Sequence, residues 1–149
     1  MEDKNTKNKN TLTFGTLNVR GIQQEMDKTR LADDMQKYKM DILGIQETHL
    51  RGSGTEEITT SDKKGKYILF YTGSDTDKYH GVGIVTSGEF QPEFSKVNNR
   101  TCKMDSKLAG RKMTFISTYA DTLKNSEKNP ERTRDYYEHL EDTVRSVGN

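Results

Sequence analysis

The apolar residues of this chain are gathered into short runs, and that grouping restricts the fold more than any other feature. "TLTFGTLNV", "DILGIQE", "YILFYTG", "HGVGIVTS" and "MTFISTY" each have the length of a strand, and polar stretches separate them. Hydrophobic residues make up 30% of the 149 and charged residues 32%, with a mean hydropathy of -1.01. Spread evenly, such a composition struggles to build a core. Concentrated in runs, it predicts ordered strands joined by long polar loops. The length suffices for one domain or for part of a larger one.

Residues 1–10, "MEDKNTKNKN", have no apolar side chain after the first and read as a disordered lead-in to a domain over 11–149. Strand one is expected over Thr11–Val19. Its apolar positions shift phase across Gly15, which implies a bulge or burial on both faces. "MDKTRLADDMQKYKM" predicts a helix with Leu31, Ala32, Met35 and Tyr38 on one face and Asp27 as its cap. "DILGIQE" is a second strand, and "THLRGSGTEEITTSDKKGK" reads as a polar loop. "YILFYTG" and "HGVGIVTS" follow as an antiparallel pair, and "RTCKMDSKLAGRKMTFISTY" as a hairpin turning at Ala109-Gly110. A last helix begins at Pro130 behind an Asn129 cap, with Tyr136, Leu140, Val144 and Val147 facing inward. The layout is mixed α/β, with helices on one side of a mainly antiparallel sheet. The other face is left uncovered, a surface on which a partner or a second copy would settle.

The net charge of +1 gives no overall footprint for nucleic acid. A basic stretch from Lys96 to Lys112 carries six cations against Asp105 alone, and a solvated hairpin explains it better than a binding motif. Cys102 is the single cysteine, so no internal disulfide forms and a reducing compartment is favoured. No apolar run reaches the length of a signal-peptide core or membrane helix, so the expected location is intracellular, nuclear or cytoplasmic. Asp75-Thr76-Asp77 opens like a calcium loop, but Tyr79, His80 and Thr86 stand where it needs a ligand, a glycine and a glutamate. His49, His80 and His139 share no metal-ligand spacing with Cys102.

What survives is a recurrence of polar residues where hydrophobic strands end: Asn18 after strand one, Glu47 after "DILGIQ", and Tyr119 closing "MTFISTY". Neighbouring strands that end together cluster their terminal side chains. An amide, a carboxylate and a phenol suit a hard divalent cation and a phosphate, because Mg2+ takes one or two carboxylates and keeps several waters. The plainer readings are an Asx turn at Asn18, an exposed strand end at Glu47 and an edge aromatic at Tyr119.

"TFGTLNVRGI", "DILGIQETHL" and "MTFISTYA", in that order, resemble the endonuclease/exonuclease/phosphatase superfamily of metal-dependent phosphodiesterases. Within it the likeness is to the apurinic-type endonuclease domains of non-LTR retrotransposons. "YTGSDTDKYHGVGIVTS" further resembles the host copies called craniofacial development protein 2-like. The resemblance implies the N-terminal half of a four-layered α/β sandwich and Mg2+-dependent hydrolysis of DNA phosphodiesters, with Mn2+ an alternative metal. Carried over, Asn18 would position nucleophile and phosphate, Glu47 would ligate the metal, and Tyr119 would contact the phosphate. Two departures stand out. Asp121 occupies the place of the family's proline, and neither the Asp-x-Asn segment nor the distal Asp-His pair occurs up to Asn149. His49 and His139 do not sit in the matching context. Two expectations follow: a phosphodiesterase fragment inactive alone, or a non-catalytic interaction module left by a retroelement. Phosphoinositide or sphingolipid substrates fit the retroelement-type motifs less well than DNA.

Overall fold

A computed structural model describes residues 11–76, 80–108, 110–120 and 122–148; the lead-in, Ala109 and Asp121 lie outside the described residues. Strands β1 (Phe14–Asn18), β2 (Ile42–Gln46), β3 (Ser53–Thr59), β4 (Lys66–Thr72) and β5 (Val82–Ser87) form one sheet in the order β1-β2-β5-β4-β3. Only β1 and β2 run parallel, joined by helix α1 (Glu25–Lys37); the other pairs are antiparallel. Strands β6 (Glu93–Asn98), β7 (Thr101–Leu108) and β8 (Arg111–Thr118) form a second, antiparallel sheet. Helices α2 (Leu123–Lys128) and α3 (Pro130–Arg145) follow.

The alternation of side chains along a strand sends the apolar residues of the first sheet to both faces. On one face Leu43, Ile45, Leu69 and Val85 pack against Leu31, Ala32 and Met35 of α1. On the other, Ile42, Phe70, Val82 and Ile84 pack against Cys102 and Met104 of β7, with Phe94 and Phe115 beside them. Among the described residues the first sheet is therefore covered on both faces, where the sequence led us to expect one of them open. The second sheet supplies the cover. Burying each aliphatic side chain contributes on the order of 1.5–3 kcal/mol, so the two clusters together hold the sandwich.

Other expectations are also corrected. Strand β1 shows no bulge against β2 and is an exposed edge, with Phe14 66% and Leu17 43% exposed. Gln24, not Asp27, stands at the N-terminal boundary of α1 and makes no side-chain capping bond, and Tyr38 lies past the helix end at 62% exposure. The polar loop after β2 contains β3, which is polar because it is an edge strand with one buried apolar residue, Ile58. A buried Lys28 of α1 anchors β3 through an ion pair with Glu56 at 2.6 Å. On α3 the Asn129 side chain accepts from the backbone N–H of Arg132 at 3.2 Å, as its capping position predicts. Its buried face is narrower than expected: Tyr136 is buried, whereas Val144 and Val147 are exposed.

Strands β1 and β8 are the edges of their sheets on the same side of the sandwich. Phe14 meets Phe115 edge-to-face at 5.9 Å across the two edges. A cleft of about 570 Å³ lined by Phe14, Ile42, Ile84 and Phe115 runs between them.

Candidate active site

Because β1 and β2 are parallel and in register from Phe14↔Ile42 to Asn18↔Gln46, they end at the same level. Backbone pairing continues past both strands, with Val19 N–H donating to Gln46 O at 3.0 Å, Gly21 to Glu47 O at 2.7 Å and Ile22 to Thr48 O at 3.0 Å. Within this extension Arg20, Glu47 and His49 have φ of 51°, 55° and 59°. Non-glycine residues in the left-handed region are uncommon and cost energy, and their clustering marks functional turns.

The entry to β5 locks this turn from the other side. Thr48 N–H donates to Gly81 O at 3.3 Å and His49 N–H to His80 O at 3.2 Å. The Thr48 side chain is fully buried, and its hydroxyl accepts from Leu50 N–H at 3.3 Å. Gly81 sits at φ 115°, and a Cβ there would collide with the Thr48 hydroxyl, so only glycine fits.

Glu47 is thereby turned toward Tyr119, whose phenol donates to Oε1 at 2.9 Å. Asn18 is a second hydrogen-bond partner of the Glu47 carboxyl. Its own Oδ1 accepts from Arg20 N–H at 3.2 Å, which leaves the amide nitrogen as donor to Glu47. The Asn18 bond, then the Tyr119 bond, hold the Glu47 carboxyl below its ordinary value; burial opposes them, and His49 and Arg20 add favourable charge. Glu47 is thus an ionised acceptor at neutral pH.

Tyr119 is fixed at its other end by the β6–β7 turn. Its N–H donates to Arg100 O at 3.0 Å and its carbonyl accepts from the Arg100 guanidinium at 3.1 Å. The guanidinium also stands over the phenol ring, 5.5 Å from its centre. The His80 ring lies 6.1 Å from the same ring.

The two sheets are kept in step beneath the site by Gln46 and Ser117. Thr16 Oγ1 donates to Gln46 Oε1 at 3.1 Å, Gln46 Nε2 donates to Ser117 Oγ at 3.3 Å, and the buried Ser117 hydroxyl donates to Ile45 O at 3.1 Å. Sequence reasoning missed these residues. The signal available was alternation: Ser117 shares the inward face of β8 with Met113 and Phe115.

The structure thus brings Asn18, Glu47 and Tyr119 into hydrogen-bond contact. It also places His49, which does not sit in the family's matching context, within the electrostatic reach of Glu47. His139 is exposed on α3, away from the cluster. Of the basic stretch, Arg100 reaches the site. Lys103 and Lys107 fall on the outward face of β7, where Lys103 lies 4.0 Å from Asp105.

An ionised carboxylate flanked by an amide and a phenol is an oxygen-donor set, which fits Mg2+ or Mn2+ better than a thiophilic metal. Among the described residues no group of three or more His, Cys, Asp or Glu could cage an ion. Mg2+ does not need such a cage, since it retains waters and shares its remaining positions with substrate phosphate.

The sequence model of the Endonuclease/Exonuclease/phosphatase family matches residues 15–119, from β1 through the whole cluster to Tyr119. The chain belongs to that family. Among solved structures it is similar to the AP endonuclease LMAP from Leishmania major, with TM-score 0.60 and 13% identity over 88% of this chain and 47% of that one. It is also similar to an endonuclease/exonuclease/phosphatase family protein from Leptotrichia buccalis, with TM-score 0.57 and 12% identity over 93% and 62%. A third likeness is to the endonuclease domain of TRAS1, a telomere-specific non-LTR retrotransposon, with TM-score 0.52 and 15% identity over 89% and 52%. These likenesses show a shared fold, and the chain spans about half the length of the first and third. A search of curated proteins found no match. Among the described residues no helix is long and apolar enough to cross a membrane.

Proposed function

We propose that this chain carries one part of the active site of a Mg2+-dependent phosphodiesterase acting on DNA, of the retrotransposon endonuclease type. The observation that supports this best is the Asn18–Glu47–Tyr119 cluster, which the fold assembles at the end of two adjacent strands and one facing strand. Glu47 would hold the metal, with Mn2+ able to replace Mg2+. When bound, the ion supplies Lewis-acid stabilisation of negative charge on the phosphate oxygens.

The chain's own residues do the positioning. Asn18 keeps Glu47 ionised and presents an amide beside the phosphate. Tyr119 orients the carboxylate with its one O–H, and turning that proton to a phosphate oxygen would exchange one anionic acceptor for another. The two retrotransposon and AP endonuclease likenesses support DNA as the substrate. A general base contributes typically a hundred- to ten-thousandfold. No residue of this cluster is suited to that role, so the base and further electrostatic partners would come from polypeptide outside it. Alone, the chain is expected to be inactive.

Mg2+ titration followed by calorimetry, beside a cleavage assay on abasic and nicked duplexes, tests both halves of this reading. Weak Mg2+ binding lost in Glu47→Ala, without cleavage, is the expected result. Cleavage by the chain itself that Glu47→Ala abolishes would overturn the inactivity. Mg2+ binding indifferent to Glu47→Ala would overturn its role as ligand.

A second reading, a non-catalytic interaction module or retroelement remnant, is favoured by the β1 edge, where Leu17 is exposed and an exposed Phe14 lines the cleft between the sheets. On that reading the open edge, not a sheet face, mediates self-association.

A further inference from the structure

The apolar surface of helix α3 extends past the part that the sandwich covers. Tyr136 and Thr143 are buried, and the Tyr136 hydroxyl lies 2.7 Å from Thr118 Oγ1 at the end of β8. Tyr137, Val144 and Val147 remain 56%, 56% and 40% exposed, with a half-buried Leu140 among them. Steps of three, four and three residues set these four in one row along the helix, the spacing by which two helices pack together. Tyr137 does not hang free in that row. Its ring meets the Tyr136 ring edge-to-face at 4.9 Å and 79°. Single exposed apolar residues are ordinary on a protein surface. A row led by an aromatic ring already held in place is different, because such a ring loses little freedom when it is covered.

The charges beside the row indicate what covers it. Arg134 and Glu141 stand three residues before and four after Tyr137, and both are exposed. Laid antiparallel on a second α3 about a centre beside Tyr137, Arg134 comes opposite Glu141 of the second copy, and Glu141 opposite its Arg134. Tyr137 of each copy then packs beside Leu140 of the other, and the first turn of the other helix covers Val144. A parallel pairing sets Arg134 beside Arg134 and Glu141 beside Glu141, which is repulsive. Glu141 also accepts from Arg145 at 2.5 Å within its own helix, and a carboxylate has acceptor sites for both arginines. Antiparallel helices further bring opposite ends of their dipoles together.

We propose that α3 is a self-docking helix, on which a second copy of this chain seats antiparallel through Tyr137, Leu140 and Val144, with Arg134–Glu141 pairs flanking the contact. This surface shares no residue with the β1 edge or with the Asn18–Glu47–Tyr119 cluster, so it does not depend on Mg2+ or DNA binding. A pair of 16-residue helices buries less than a standard interface, which makes the association weak and reversible.

Sedimentation equilibrium of the full chain over a concentration series reads this association. Val144→Lys, at an exposed position, is expected to weaken it about tenfold or more, because one valine of each copy loses its cover. Arg134→Glu alone is expected to weaken it too, and Arg134→Glu combined with Glu141→Arg to recover it, a pattern that only facing charges produce.

A second measurement does not rely on the fold tolerating these variants. The Cys102 thiol is buried and pushed up to about 12 by that burial, so a surface cysteine can be labelled selectively. A nitroxide on Glu138→Cys, mixed with isotope-labelled wild-type chain, is expected to broaden NMR resonances of α3 and to spare those of β1. A wild type that stays monomeric throughout the series overturns the proposal. So does association indifferent to Val144→Lys, a double swap without recovery, or broadening on β1 in place of α3.

Discussion

The Tyr119 hydroxyl donates to Glu47 Oε1 at 2.9 Å across the gap between the two sheets, joining residues 72 positions apart. One bond therefore reports on both the packing of the sandwich and the charge of the site. Removing it acts on each in a separable way.

Tyr119→Phe keeps the ring under Arg100 and deletes the hydroxyl. A hydrogen bond to a charged group contributes about 1.5–3 kcal/mol when well buried, and at this half-buried position a loss of about 1 kcal/mol is expected. The Glu47 carboxyl should rise toward its ordinary 4.5, since one of the two bonds holding it down is gone. The sign of the pH effect follows. A carboxyl lowered in the folded state stabilises above the unfolded value and loses that contribution as pH falls through the folded value. Stability of the wild type should therefore decline from about pH 4.5 downward, and that of Tyr119→Phe should decline less steeply over the same range. Urea unfolding across this acid range compares the two. Parallel acid limbs would show that the bond does not set the charge of Glu47.

Gly81 tests the turn that aims Glu47. Alanine there meets a left-handed φ of 115° and a collision with the buried Thr48 hydroxyl together. The backbone penalty and the overpacking are each of order 1–3 kcal/mol, so Gly81→Ala is expected to lose about 2–4 kcal/mol. Gly110, also at positive φ but with no atom within 4 Å of the place an alanine methyl would take, is the control. Gly110→Ala is expected to cost less, through backbone strain alone. Thermal unfolding showing equal losses would mean that the Thr48 contact is soft.

Sequence legibility divided along physical lines. Strands β2, β4, β5, β7 and β8 were readable because their apolar runs lie in the centre of sheets or face the core, where composition and burial agree. Strands β3 and β6 were not, because an edge strand such as β3 needs only Ile58 inside and otherwise carries Ser, Thr and Glu. Strand β1 was found, but its exposure was misjudged. Its apolar residues Phe14 and Leu17 look like core side chains, and only the sheet order shows that they line an edge. Asn18, Glu47 and Tyr119 were each visible as polar strand ends. Their supports, Ser117, Gly81 and Arg100, act through contacts between elements far apart in sequence, which no local pattern encodes.

Ser117 carries the next expectation. Its buried hydroxyl donates to Ile45 O and accepts from Gln46, so Ser117→Ala removes the direct polar link between β8 and β2. Leaving a buried carbonyl and part of an amide unsatisfied costs about 1–3 kcal/mol. Because Tyr119 follows two residues later, Mg2+ affinity should also fall, although Ser117 touches no ligand. Calorimetric Mg2+ titration of folded Ser117→Ala checks this, and an unchanged affinity would confine Ser117 to stability.

The open edge of β1 gives the last prediction. Leu17 is 43% exposed on a strand whose outer backbone groups face away from the sheet, with apolar Phe14 on the same strand. Proteins commonly protect such edges with lysine, because an unprotected edge pairs with another chain. If the wild-type chain self-associates through β1, Leu17→Lys should shift sedimentation-velocity profiles toward monomer at high concentration. The lysine stem can still cover part of the surface that leucine covers, so stability should change by no more than about 0.5–1 kcal/mol. Association that persists in a stable Leu17→Lys variant would move the contact elsewhere, with the outward face of β7 and β8 next to be tested.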